Sequence, residues 1–220
     1  PAMQVADSQF AASPTGCTFT LREPLAKPTA RRCRSCGEDV WLHHPSEVSD
    51  LDLRSVLDAI ADSRATTIEH GLLVGGFKAA LAEAEALHTV VVVNCAGRKL
   101  HDFLPKTRTP FEDLRAQGRV LDLEWDDSDD FCVPTADIAT AIAWVGDRAA
   151  AGLSVVISCA QGRSRSGFMA TALLMHRHRM TSTDALALLR SRRPYCQPNP
   201  GFVRQLAILE EVILGMPAPA

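Results

Sequence analysis

From about residue 47 onward the chain alternates two kinds of apolar pattern. The runs TVVVVN at 89–94 and SVVIS at 154–158 are short, β-branched and apolar at successive positions. That is the pattern of strands covered on both faces of a sheet. Residues 66–68, 72–74 and 120–125 are further strand candidates. Helical stretches stand between them. Leu53, Val56, Leu57 and Ile60 recur at three- and four-residue spacing, and 78–87 is rich in Ala, Glu and Leu. Residues 136–151 follow Pro134 and place Ile138, Ile142 and Val145 on one stripe. Helices are also expected at 165–178, from Thr181 (with Asp184 at capping-box spacing), and at 199–214. Strands alternating with helices predict an α/β domain with a central, mostly parallel, twisted sheet flanked by helices.

Residues 1–46 break this pattern. They hold Pro14, Pro24, Pro28 and Pro45, and between Arg22 and Cys36 five basic residues face one acid. They are expected as a weakly ordered N-terminal extension, with one folded domain over 47–216. Cys33 and Cys36 precede His43 and His44. Adjacent histidines do not match the spacing of a zinc finger, so neither a metal nor another cofactor is expected.

Composition narrows the function classes. The 220 residues are 46% apolar and 22% charged, with a formal net charge of −3. Phosphate-backbone affinity needs an excess of Lys and Arg, so nucleic acid is not an expected partner. No apolar run approaches the ~18 residues of a membrane span. The first ten residues lack the basic-then-apolar order of a signal peptide. Seven cysteines, an odd count without such a signal, fit a reducing compartment, the cytoplasm or alternatively the nucleus. A monomer is expected.

One segment concentrates the chemistry: SVVISCAQGRSRSG at 154–167. A buried strand ends at Cys159, a short loop containing Gly162 follows, and a helix starts near Arg165. First-turn N–H groups have no intrahelical acceptor, and the helix dipole is positive there, so such a loop suits an anion. Gly162 permits a conformation that L residues resist, which lets successive N–H groups converge. A thiol facing that nest is held toward its nucleophilic thiolate. Arg165, six positions on, can return over the same anion with its planar fork. The residues thus point to Cys159 facing a tetrahedral oxyanion held by Ala160, Gln161, Gly162, Arg163, Ser164 and Arg165.

This C-x5-R-S arrangement resembles the signature of the cysteine-dependent protein tyrosine phosphatase superfamily, and Ser164-Arg165-Ser166 resembles the ending of its dual specificity branch. Residues 68–76 (IEHGLLVGG) resemble that branch's opening segment. Arg193-Pro194, Asn199-Pro200-Gly201-Phe202 and Gln205-Leu206 resemble its C-terminal segment. Val93-Asn94-Cys95 with Asp127-Ser128 resembles atypical, MAP-kinase-phosphatase-like members. The resemblance spans residues 66–212. It implies a protein tyrosine phosphatase-like fold. It also implies hydrolysis of phosphotyrosine and phosphoserine/threonine in proteins through a cysteinyl phosphate, with a MAP kinase as one candidate substrate. In such a site Ser166 donates its hydroxyl to the sulfur, and Asn199 supports the floor.

The leaving oxygen needs a proton, which a carboxylic acid commonly supplies. Asp122, Glu124, Asp126, Asp127, Asp129 and Asp130 crowd together. The resemblance implies an acid about thirty residues before the nucleophile, in an Asp-Ser pair, which selects Asp127. Asp126 and then Asp129 are the next candidates; the rest are expected as a solvated acidic loop.

One position departs from the family pattern. The residue before the nucleophile is usually His and here is Ser158, which can hydrogen-bond backbone but carries no charge. Slower activity is expected. Two alternatives stay open: a weakly active or inactive module that binds phosphorylated partners, and a phosphatase for phosphoinositide or RNA 5′-phosphate. Residues 163–193 carry seven Arg and one acid, expected partly on a solvated face and partly at the pocket rim. Cys95, Cys132 and Cys196 are expected as buried core thiols.

Overall fold

The structure, a computed structural model, describes residues 64–103 and 105–216. The extension over 1–46, the amphipathic stretch at 53–60 and Cys17, Cys33 and Cys36 lie outside them. Five strands form one sheet in the order β1–β2–β5–β3–β4. They are β1 (Thr66–Glu69), β2 (Leu72–Gly76), β3 (Val90–Asn94), β4 (Val120–Asp122) and β5 (Ser154–Cys159). β1 pairs with β2 antiparallel, and every other pair is parallel. The continuous apolar runs of β3 and β5 are buried, as their sequence requires.

The strands face two cores. Leu72, Val74, Val91, Val93, Val155 and Ile157 face the larger one, and Val90, Val92 and Val156 the smaller. The smaller core is closed by α1 (Phe77–Ala86) and by α3 (Arg108–Ala116), which follows α2 (Leu100–Phe103) and a 3-10 turn (Pro105–Thr107). The larger is built with α4 (Thr135–Ala150), α5 (Arg165–His178), α6 (Ser182–Arg192), α7 (Pro200–Ile208) and α8 (Glu210–Gly215). α5 is buried without interruption from Ser166 to His176, because its sides meet β5, β2 and helices α4, α6, α7 and α8. Its last turn carries His176, Arg177 and His178, where the helix dipole favours positive charge.

Register fixes what stands beside the end of β5. Asn94 of β3 lies opposite Ser158, and Gly76 of β2 lies opposite Cys159. The Cys95 amide donates to Ser158 O at 2.7 Å.

Two expectations change, and one segment without an expectation takes a shape. The strand expected over 120–125 stops at Asp122, although Leu123 N and Trp125 N still donate to Asn94 O and Cys95 O, at 2.9 and 3.4 Å. The helix expected over 199–214 breaks at Leu209 into α7 and α8. Residues 100–116, which carry no clear apolar period, are largely helical. Only Phe111 and Leu114 of α3 are buried, and Arg115 ties its last turn to Asp122 of β4.

Ile157 is fully buried at the centre of the sheet. Ile157→Ala should cost about 2–5 kcal/mol of unfolding free energy, read as a lower urea midpoint at an unchanged slope.

Candidate active site

Cys159 ends the central strand and is 2% exposed. Its Sγ lies 3.3 Å from Ser166 Oγ, in the first turn of α5. Residues 160–164 turn the chain from one element into the other. Gly162 has φ +70°, and a Cβ there would collide with the backbone of Gly75 and Gly76. Glycine is therefore required both for the left-handed conformation and for the close approach. The same residue is held by the buried Arg193, whose Nε donates to Gly162 O at 3.1 Å. Arg193 Nη1 donates to Thr66 Oγ1 at 2.9 Å and to Arg64 O at 3.3 Å, which joins the loop to β1. Ser158 Oγ donates to Val93 O at 3.3 Å, the backbone bond expected of it.

Arg165 brings its guanidinium back over the loop. Nη1 donates to Trp125 O at 3.1 Å. Nε is buried without a hydrogen bond and stands 3.5 Å from Asp127 Oδ2. Asp127 Oδ1 accepts from Ser164 Oγ at 2.6 Å and from Asn199 Nδ2 at 3.1 Å. Ser164 is the N-cap of α5, yet its side chain makes no capping bond. Its hydroxyl is spent on Asp127, so it does not occupy the first-turn N–H groups that suit an oxyanion.

These groups enclose a cavity of about 240 Å³, lined by Asp127, Cys159, Ala160, Gln161, Arg163, Ser164, Arg165 and Gln197. Among the described residues no cluster of His, Cys, Asp and Glu has a metal-holding arrangement. The structure thus gathers Cys159, Arg165, Ser166 and Asp127 at one place. Ser164 sits between β5 and α5, and its side chain turns to Asp127. Asn199 donates from Nδ2 to Asp127 and from its backbone N–H to Ser164 of the loop.

The acidic loop is not all solvated. Asp122 receives two bonds from Arg115, Nε to Oδ2 at 2.6 Å and Nη2 to Oδ1 at 2.8 Å, and a third from Asn94 Nδ2 at 2.9 Å. Glu124 is exposed as expected, with Oε1 accepting from Arg98 N at 2.8 Å. Asp126, Asp129 and Asp130 are exposed as expected. Helix α7 clamps the loop from the other side. A Cβ on Gly201 would strike the Asp129 backbone. Gln205 accepts from Val133 N at 2.8 Å and donates to Phe131 O at 2.7 Å. Trp125 Nε1 donates to Asp137 Oδ2 at 2.8 Å. Sequence reasoning noted Gly201 and Gln205 without their task, and it missed Gln197, which carries no signal of its own.

The basic 163–193 stretch divides between the cavity, the surface, where Arg179 and Arg192 are exposed, and the interior. Arg163 and Arg165 line the cavity. Arg177 pairs with Glu69, Arg179 donates to Met216 O, and Arg190 donates to Cys196 O. Arg177 and Arg190 are half-buried and Arg193 is buried, so these three make bonds within the fold that the sequence does not announce. Cys95 and Cys196 are buried, but Cys132 is exposed, against expectation. Burial, with the nearby Cys159, pushes the Cys95 thiol well above its usual value. Burial takes Cys196 up to about 12. Both are held as neutral thiols.

His101, 1% exposed, backs the Asp122 network. Arg115 Nη2 is 3.1 Å from His101 Nε2, and an arginine can only donate, so the ring proton sits on Nδ1 facing Thr107 Oγ1 at 2.9 Å. Burial, then the Arg115 charge, lowers His101 from its usual range.

Against known proteins, the family model for the dual specificity phosphatase catalytic domain matches residues 72–212. Dual specificity protein phosphatase 1 of Arabidopsis thaliana is 47% identical over 60 residues, 27% of this chain and 30% of that protein. Matches to the first curated relatives thus span about a third of their length. The crystal structure of human DUSP28 shares 25% identity at a TM-score of 0.54, covering 68% of this chain and 94% of that one. The crystal structure of human tyrosine phosphatase-like serine/threonine/tyrosine-interacting protein has the same fold (TM-score 0.56, 22% identity, covering 69% and 99%).

Two outcomes follow from this geometry. Gly162→Ala should lower the thermal midpoint, by the equivalent of about 1–3 kcal/mol, because the left-handed conformation is strained for alanine and its Cβ meets backbone. For His101 the folded imidazole binds a proton less readily than the unfolded one. Its contribution to stability is therefore full above about pH 6.5 and falls away below it. His101→Gln should flatten that acid-side decline in urea unfolding across a pH series.

Proposed function

Because the chain belongs to the dual specificity phosphatase family, we propose that it hydrolyses phosphate monoesters on phosphotyrosine and phosphoserine/threonine of proteins through a cysteinyl-phosphate intermediate. The observation that carries this reading is the cavity where Cys159, Arg165 and Asp127 meet at the junction of β5 and α5. The Cys159 thiolate attacks phosphorus in line with the ester oxygen, so that the S–P bond forms as the P–O bond breaks. Backbone N–H groups of residues 160–165 and the Arg165 guanidinium hold the equatorial oxygens. Asp127 gives its proton to the departing oxygen. Its carboxylate then takes a proton from the water that attacks the phosphoenzyme. Ser166, 3.3 Å from the sulfur, donates to it as it leaves. None of these steps calls on a metal or an organic cofactor.

A phosphorylated MAP kinase is the substrate candidate, supported by the sequence resemblance to MAP-kinase-phosphatase-like members. Among the described residues no helix is long and apolar enough to cross a membrane. A reducing compartment, the cytoplasm first, suits the free thiol at the centre of the mechanism. Ser158 supplies a backbone bond and no positive charge next to the nucleophile, which supports slow turnover and keeps a phospho-binding module as the second reading.

With a chromogenic aryl phosphate, the expected result is a burst of phenol stoichiometric with enzyme, followed by slower turnover. Cys159→Ser should abolish both phases. Asp127→Asn should slow the reaction by about 10²–10⁴-fold on substrates with basic leaving groups. Wild type as inert as Cys159→Ser, with both binding phosphopeptide, would replace the enzyme by the binding module.

A further inference from the structure

We propose that Ser164 and Asn199 determine which oxygen of Asp127 carries the catalytic proton, holding Oδ1 as an acceptor so that Oδ2 delivers it. This rests on the phosphatase reading above and specifies how its acid is set. Oδ1 faces two donors, the Ser164 hydroxyl at 2.6 Å and the Asn199 amide at 3.1 Å. A proton on Oδ1 would oppose both and leave a donor unmet, whereas a proton on Oδ2 leaves both bonds intact.

The direction of each donor is fixed by a further bond. Asn199 N donates to Ser164 Oγ at 3.1 Å, which uses the hydroxyl as an acceptor and turns its own proton toward Asp127. Asn199 Oδ1 accepts from Phe202 N at 2.8 Å as the N-cap of α7, so its NH2 group must be the end that meets the carboxyl. The result is a directed chain from Asn199 N–H through Ser164 O–H to Asp127 Oδ1, in which each bond polarises the next. The other oxygen, Oδ2, stands 3.5 Å from Arg165 Nε, a buried N–H with no hydrogen bond of its own. Donor and acid oxygen therefore border the same part of the cavity. As the P–O bond of the ester breaks and the S–P bond forms, the Oδ2–H bond breaks and its proton passes to the ester oxygen. Oδ1 keeps its two bonds throughout, and the carboxylate left behind is oriented for the water step. Ser164 and Asn199 are thus positioning residues that act through Asp127.

The experiment compares kcat/KM, which reports the phosphoryl-transfer step, for phenyl phosphate, whose leaving oxygen needs a proton, with that for difluoromethylumbelliferyl phosphate, whose leaving phenol departs unprotonated. Three variants separate positioning from scaffold. Ser164→Ala removes the hydroxyl, Ser164→Thr restores it, and Asn199→Ser removes the amide donor while keeping an N-cap acceptor for Phe202 N. The expected result is that Ser164→Ala and Asn199→Ser each lower the phenyl-to-umbelliferyl rate ratio by about tenfold, with Ser164→Thr near wild type. In an Asp127→Asn background the same changes should leave the ratio where Asp127→Asn alone sets it, because both act through one carboxyl. Equal losses on both substrates, or a further drop of the ratio without Asp127, would overturn the proposal while leaving the phosphatase reading in place. Absence of any Cys159-dependent turnover would overturn that reading, and this proposal with it.

Discussion

β5 hydrogen-bonds to a parallel neighbour on each side, β2 and β3, and the site hangs on that two-sided pairing. Parallel strands with helices on both faces have no solvated side, which is why Val155, Val156 and Ile157 are all apolar and buried. The pairing brings Gly76 and Asn94 level with the end of β5 and sets the depth of the thiol. From there the chain makes a tight turn into α5, which is buried from Ser166 to His176.

Around this fixed point the remaining groups arrive from distant segments, each locked by a bond that does no chemistry. Arg193 comes from beyond α6 and holds the loop's carbonyl. Trp125 is pinned by Asp137 and presents its own carbonyl to Arg165. The acidic loop is held at its start by Arg115 and Asn94 on Asp122 and at its end by Gln205 on Phe131 and Val133. Asp127 lies between these clamps. The buried guanidinium of Arg193 is costly to desolvate and persists because backbone and hydroxyl acceptors meet it.

What was legible in the sequence follows the range of the forces involved. β-branched runs announced the central strands, and Thr181 and Pro134 announced helix starts, because these signals are local. The placing of Cys159, Gly162 and Arg165 in one turn was legible because they lie within seven consecutive residues between a strand and a helix. Arg193 and Arg115 were not: an arginine that will be buried among carbonyls reads the same as one on a solvated face, and only the tertiary fold supplies its acceptors. The place of Ser164 in the loop is local, but its bond to Asp127 is not, since its side chain reaches a residue 37 positions away. The helix at 108–116 escaped for a related reason. Two buried residues are too few to mark a period, and its anchor is an ion pair with another element.

The contact between Gly162 and Gly75–Gly76 has a consequence for anyone transplanting this chemistry. The loop is not a portable cassette. Its tip lies so close to the backbone of Gly75 and Gly76, where the neighbouring strand ends, that a Cβ on Gly162 would collide with it. A graft of residues 159–165 onto another parallel sheet would bring the thiol and the guanidinium, yet the turn would keep its place only where an adjoining strand ends at the same level and leaves its backbone open to the tip. The smallest unit that can move intact is therefore a pair of strands, not a loop.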